Sequence, residues 1–99
     1  MSYLVRYTRS ARADLLRLFD FLAAEDLAAA RRALGAIEKG MAFLAEFPFS
    51  CRKHSVDSPF LRELVIRFGR AGYVALFEIE NETTVTILAV RHQREDDLW

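Results

Sequence analysis

From Leu27 to Leu44 an apolar residue recurs at steps of three and four without a break: Leu27, Ala30, Leu34, Ile37, Met41, Leu44. Only an α-helix, at about 3.6 residues per turn, brings such positions onto one face. The stripe predicts a helix over about 27–46, with Asp26 as its N-cap and Phe47-Pro48 as its stop. Upstream, Leu15, Leu18, Phe19 and Leu22 recur at i, i+3, i+4 and i+7, which predicts a helix over about 9–25 capped by Thr8. So short a connection forces the two helices to run antiparallel, as a hairpin. Gly35 and Gly40 weaken the second helix by roughly 1 kcal/mol each relative to Ala, and both leave room for close packing.

The remaining segments carry the other periodicity. Tyr3-Leu4-Val5-Arg6-Tyr7 is short and rich in β-formers, a first strand. Residues 47–59 read as a loop bearing Arg52, Lys53 and His54. Phe60 to Phe68 alternates, Gly69-Arg70-Ala71-Gly72 reads as a hairpin turn, and Tyr73 to Glu80 follows. A tight Asn81-Glu82 connection leads into a last strand over about Thr83 to Val90. The expected architecture is α+β: β-α-α-β-β-β, an N-terminal helical hairpin packed on one face of a small, mainly antiparallel sheet. Strand parity sets Tyr73, Ala75, Phe77 and Ile79 opposite Val74 and Leu76, and sets Val85, Ile87 and Ala89 opposite Leu88 and Val90. Helices cover only one face. Apolar residues on the second predict a surface that another chain fills.

The 99 residues are expected to form a single domain, 1–99, because chains divide only well beyond this length. Hydrophobic residues make up 53%, above the usual share of about 45–50%, which implies either an unusually well-stocked core or apolar surface that awaits a partner. The 14 basic and 14 acidic residues balance, so direct sequence-specific nucleic-acid binding is not expected. A lone cysteine, Cys51, fits a reducing compartment. No apolar run reaches the roughly 20 residues of a membrane span, and the first residues lack the order of a signal peptide. These features point to a cytoplasmic protein with no membrane partner. His54 beside Cys51 lacks the second cysteine and the carboxylate spacing of a metal site, so no metal and no cofactor are expected.

The last strand ends unusually, at Arg91-His92-Gln93-Arg94 rather than at Gly, Asn or Pro. That places two guanidiniums and an imidazole at the lip of a sheet. Val5-Arg6-Tyr7-Thr8 with Ala11, Asp14 and Leu15, then Phe47-Pro48 with Arg52, then Leu61-Arg62-Glu63-Leu64-Val65-Ile66, Gly72-Tyr73-Val74-Ala75-Leu76-Phe77 and Ile87 to Asp96 stand in a distinctive order. This ordered set resembles the RelE/ParE superfamily of toxins from type II toxin–antitoxin systems. The resemblance implies a cytoplasmic growth inhibitor, associated with plasmid stabilisation, in a hetero-oligomer with a cognate antitoxin whose helix and extended tail cover the toxin's sheet and groove. RelE-like members are ribosome-dependent mRNA endoribonucleases; ParE-like members bind and inhibit DNA gyrase.

Metal-free RNA cleavage needs a base for the 2′-hydroxyl, an acid for the leaving oxygen, and cations for the phosphorane. Arg62, Arg67, Arg91 and His92 are the nuclease candidates, with Lys53 and His54 nearby. Arg62 and Arg67 are five apart on one strand and point to opposite faces, as do Arg91 and His92. Cross-strand pairing of Arg62 and Arg67 with Glu63, Glu78 or Glu80 is the structural alternative. Arg52, Lys53, Arg62, Arg67 and Arg70 face only Asp57 and Glu63, a mild basic excess. The late tyrosine of RelE-like nucleases is missing: Leu98-Trp99 stand in its place, after the acidic run Glu95-Asp96-Asp97. The balance favours a ParE-like, gyrase-directed toxin acting by contact, with the nuclease as the alternative. Expected contact residues for target or antitoxin are Arg31, Arg32, Arg62, Arg67, Arg91, Arg94, Tyr73 and Phe77. The outer face of the helical hairpin, through Arg12, Arg17, Arg31, Arg32 and Lys39, is the expected target-facing element.

Overall fold

A computed structural model describes residues 2–95. Chain order is β1 (Leu4–Tyr7), α1 (Arg9–Ala23), α2 (Leu27–Glu46), a 3₁₀ turn (Pro48–Ser50), β2 (Arg52–Lys53), β3 (Leu61–Phe68), β4 (Ala71–Ile79) and β5 (Thr84–His92). The sheet order is β1-β5-β4-β3-β2, with β1 parallel to β5 and every other pair antiparallel. This is the expected α+β arrangement, enlarged by a short edge strand inside the stretch read as loop.

Both helix starts rest on the side chains named for them. Thr8 Oγ1 accepts from the Ala11 N–H at 3.0 Å, and Asp26 Oδ1 accepts from the Ala29 N–H at 3.0 Å. Each such cap supplies about 1 kcal/mol. The stripe of α2 (Ala30, Ala33, Ile37, Met41, Leu44) packs with Ala11 and Leu18 of α1 onto Ile66, Tyr73, Ala75, Phe77, Ile79, Val85, Ile87 and Val90. Gly40 lets α2 approach β3 closely, since a Cβ there would stand 3.0 Å from Ile66 Cγ1 and 3.1 Å from Leu64 Cδ2. Gly35 has no such neighbour.

The face assignment of β5 needs correction. Leu76 pairs with Ala89 but Phe77 pairs with Ile87, so Leu88 is an extra residue, a β-bulge. The bulge reverses parity beyond it, so Val90 joins Val85 and Ile87 under the helices and Ala89 turns to the opposite face. Its cause lies across the strand edge. Strand β1 ends at Tyr7, opposite Ile87, and the start of α1 takes over: Thr8 donates from Oγ1 to the Leu88 carbonyl at 3.2 Å, and Asp14 Oδ2 accepts from the Val90 N–H at 2.9 Å. The strand also runs two residues further than expected, through Arg91 and His92.

The β3–β4 turn is tighter than expected, with only Gly69 and Arg70 between the paired Phe68 and Ala71. Gly69 has φ +62° and Arg70 a negative φ, as in hairpin turns with glycine at the first central position. Gly72 carries φ +156°, and a Cβ on it would overlap the Ile66 carbonyl oxygen.

Candidate functional site

The bulge and the tight turn together shape a groove of about 580 Å³ between the second half of α1 and the β3–β4 end of the sheet. Leu18, Leu22, Phe68 and Tyr73 form its apolar floor and Phe21 its outer wall. Phe21 is 75% exposed, an isolated aromatic with no burial to gain from this chain. Tyr73 stacks on Phe68 (centroids 6.3 Å apart) and meets the His92 ring edge-on at 5.5 Å. Burial pushes the Tyr73 phenol above its ordinary 10.0, so at neutral pH it is a protonated donor and no base. His92 Nδ1 accepts from the Arg94 N–H at 3.1 Å, which turns the ring's N–H edge the other way.

Cations stand around the rim. Arg17 pairs with Glu95 at 2.8 Å and lies 3.8 Å from Asp14, so it belongs to the groove rather than to the free outer face of the hairpin. Arg70 and Arg94 are exposed and have no side-chain partner among the described residues. An apolar trough with a basic rim suits an amphipathic helix flanked by carboxylates.

The nuclease candidates are scattered. Arg62 is committed to the backbone: its Nε donates to the Pro59 carbonyl at 2.8 Å, and its Nη1 donates to Cys51 at 2.7 Å and Phe49 at 3.2 Å. It pairs with none of the carboxylates named for it; Arg52 instead takes Glu63, at 2.8 Å. Arg67 is exposed, and its register partner Gly72 sets it on the sheet face opposite Arg62. Arg91 is neutralised by Asp14, with Glu95 3.7 Å from its Nε. His92 lies at the groove floor beside Tyr73. Among the contact residues, Arg31 and Arg32 are exposed on α2 and Arg94 is at the groove rim, but Phe77 is fully buried and has no surface to offer a partner.

On the uncovered sheet face Val74 is only 2% exposed, with Leu61 and Leu76 half-buried and Val65 exposed beside it. His54 Nδ1 lies 3.1 Å from Glu63 Oε2 in the same network as Arg52. Burial pushes the Cys51 thiol up, against the opposing influence of Arg62. Among the described residues no helix is long and apolar enough to cross a membrane, and no three His, Cys, Asp or Glu side chains gather to hold a metal. Asp96, Asp97, Leu98 and Trp99, on which the acidic-tail and missing-tyrosine readings rest, lie outside the described residues.

The family model for the ParE toxin of type II toxin–antitoxin systems matches residues 5–97. The chain belongs to that family. Two solved structures share its fold. One is the chromosomal ParDE toxin–antitoxin system from P. aeruginosa, at TM-score 0.73 and 21% identity over 92% of this chain and 96% of that one. The other is the toxin–antitoxin complex RelBE2 from Mycobacterium tuberculosis, at TM-score 0.62 and 28% identity over 94% of this chain and all of that one. No curated protein sequence matches the chain.

In this ParE-family toxin the groove formed by Phe21, Leu22, Phe68 and Arg70 was not legible as a site from the sequence. Phe21 left one trace, as an aromatic that falls off the Leu15-Leu18-Phe19-Leu22 stripe. Phe68 was legible only as the end of a strand and Arg70 only as one of a mild basic cluster, because their place in the groove depends on the two-residue turn.

Proposed function

We propose that this ParE-family toxin arrests growth by binding DNA gyrase, without cutting RNA, and that a cognate antitoxin neutralises it by laying an apolar helix face into the groove. One observation carries the choice of target. The side chains that phosphodiester cleavage needs are apart and engaged: Arg62 on three carbonyls, Arg91 on Asp14, His92 over Tyr73, and Arg67 on the other sheet face. A cleavage centre needs these groups converging within hydrogen-bond reach of one phosphate. A contact inhibitor needs only surface, and α2 presents Arg31 and Arg32 to it. The toxin acts in the cytoplasm, in a hetero-oligomer with its antitoxin until released.

RNA cleavage keeps one specific observation, the His54–Glu63 pair flanked by Arg52 and Lys53. Brief expression separates the two readings. Gyrase-dependent DNA breaks with intact mRNA are expected, and they should vanish on reversing the charge of Arg31 and Arg32. Codon-phased mRNA cuts that depend on His54 would replace this proposal with the nuclease.

A further inference from the structure

At the opposite end of the sheet from the groove, Tyr3, Phe49, Phe60 and Ile79 line a cleft of about 290 Å³. Its remaining wall is Glu80, Asn81 and Glu82, from the β4–β5 turn. Phe49 and Phe60 are 50% and 52% exposed and meet edge-on at 6.2 Å. Two large rings are thus held together in water with half their surface unused. The volume sits at or below the small end of ligand pockets, about 300–1,000 Å³, and suits one long side chain rather than a helix.

Charge decides which side chain. The residues lining the cleft include two carboxylates and no cation. Glu80 is fixed in place and partly neutralised by Arg6, 3.0 Å away, and by the Thr86 hydroxyl, so the open charge of the cleft is Glu82, which has no side-chain partner among the described residues. An apolar side chain would satisfy the rings but strip water from the carboxylates without replacing it. A phosphate or an acidic side chain would be repelled. A guanidinium stacks on aromatic faces and bonds carboxylates with the same planar group. The chain already makes such a contact next door: Arg62 Cζ lies 5.2 Å from the Phe49 ring centroid.

We propose that this cleft receives an arginine side chain of a partner protein, its stem against Tyr3, Phe49 and Phe60 and its guanidinium on Glu80 and Glu82. The site is separate from the antitoxin groove and holds whichever target the toxin has. A second copy of this chain as donor is the competing occupant, and self-association separates it.

The test follows backbone amide shifts of the full chain while N-acetyl-arginine amide is added, with the citrulline amide as a neutral match in shape and the leucine amide as an apolar control. Saturable shifts at Phe49, Phe60 and residues 79–82 are expected with arginine, with citrulline binding roughly five- to tenfold more weakly. Glu82 is exposed, so Glu82→Gln should leave all other shifts in place while weakening arginine by a similar factor. Equal binding of citrulline, tighter binding of the leucine amide, or no saturable shift would each overturn the proposal. Self-association of the free chain that disappears in Glu82→Gln would assign the arginine to a second copy and overturn it too.

Discussion

The two ends of the sheet have floors of one kind and rims of opposite sign. At the β3–β4 end, Phe68, Tyr73, His92, Leu18 and Leu22 lie beneath Arg17, Arg70 and Arg94, with one carboxylate, Glu95, paired to Arg17. At the β4–β5 end, Phe49, Phe60, Tyr3 and Ile79 lie beside Glu80 and Glu82. Fourteen positive and fourteen negative residues sum to zero over the chain, yet the linings of these two hollows differ in sign, three arginines and one glutamate against two glutamates. Net charge therefore bounds only what the whole surface does at long range. It says nothing of what one end recognises at contact.

The ends also differ in what holds their turns, and that difference should give the largest effect. Gly72→Ala drives a Cβ into the Ile66 carbonyl, and this backbone cannot move without disturbing the β3–β4 pairing. A loss of about 3 kcal/mol or more in denaturant unfolding is expected. The other turn depends on a side chain: Asn81 Oδ1 accepts from the Thr83 N–H at 2.8 Å and from its hydroxyl at 2.9 Å. Asn81→Ala should cost only about 1 kcal/mol. Equal losses at the two turns would end the claim that they are built differently.

Phe21 and Asp14 separate recognition from structure at the groove end. Phe21→Ser should change stability by no more than about 0.5 kcal/mol, since the ring is mostly in water. Yet it should weaken antitoxin binding tenfold or more, as expected for an exposed aromatic anchor, worth about 2 kcal/mol. Asp14→Ala should do the reverse. It leaves the Val90 N–H without its acceptor and Arg91 with only the longer contact to Glu95 and the Val90 carbonyl, and should cost about 2 kcal/mol, with the groove's apolar lining intact. Calorimetry of the complex beside thermal melts of the free variants reads both.

These residues also mark where the sequence stopped being legible. Helix α2 spans the predicted 27–46, because an unbroken 3-4 stripe bounded by Asp26 and Phe47-Pro48 is a purely local signal. The four longer strands and their succession along the chain were legible for the same reason; the place of β1 beside β5 was not, because that pairing joins residues about 80 apart. The bulge at Leu88 was not, because it is imposed by Thr8 and Asp14 from about 75–80 residues away, and with it went the faces of Ala89 and Val90. Strand β2 has two residues, too few to show alternation. The role of Arg62 was hidden because its acceptors are carbonyls of Phe49, Cys51 and Pro59, which every sequence possesses. The cleft was hidden because its rings come from separate loops.

Acid separates the ends with the smallest but most selective effect. The Thr86 hydroxyl, with the Arg6 guanidinium adding to it, holds the Glu80 carboxyl below its ordinary 4.5. Above that value Glu80 is ionised whether the chain is folded or not, and its contribution to stability is complete. As pH falls from 4.5 through the native value, the unfolded chain takes up its proton first, so the contribution declines and is gone below the native value. Thr86→Val should raise the Glu80 midpoint, read from its side-chain carboxyl shift, and flatten stability against pH in that window. An unmoved midpoint would mean that Thr86 does not hold the carboxylate. The guanidiniums of Arg17, Arg70 and Arg94 keep their charge throughout. The cleft should thus lose arginine as pH falls through the native Glu80 midpoint, while the groove rim stays fully cationic.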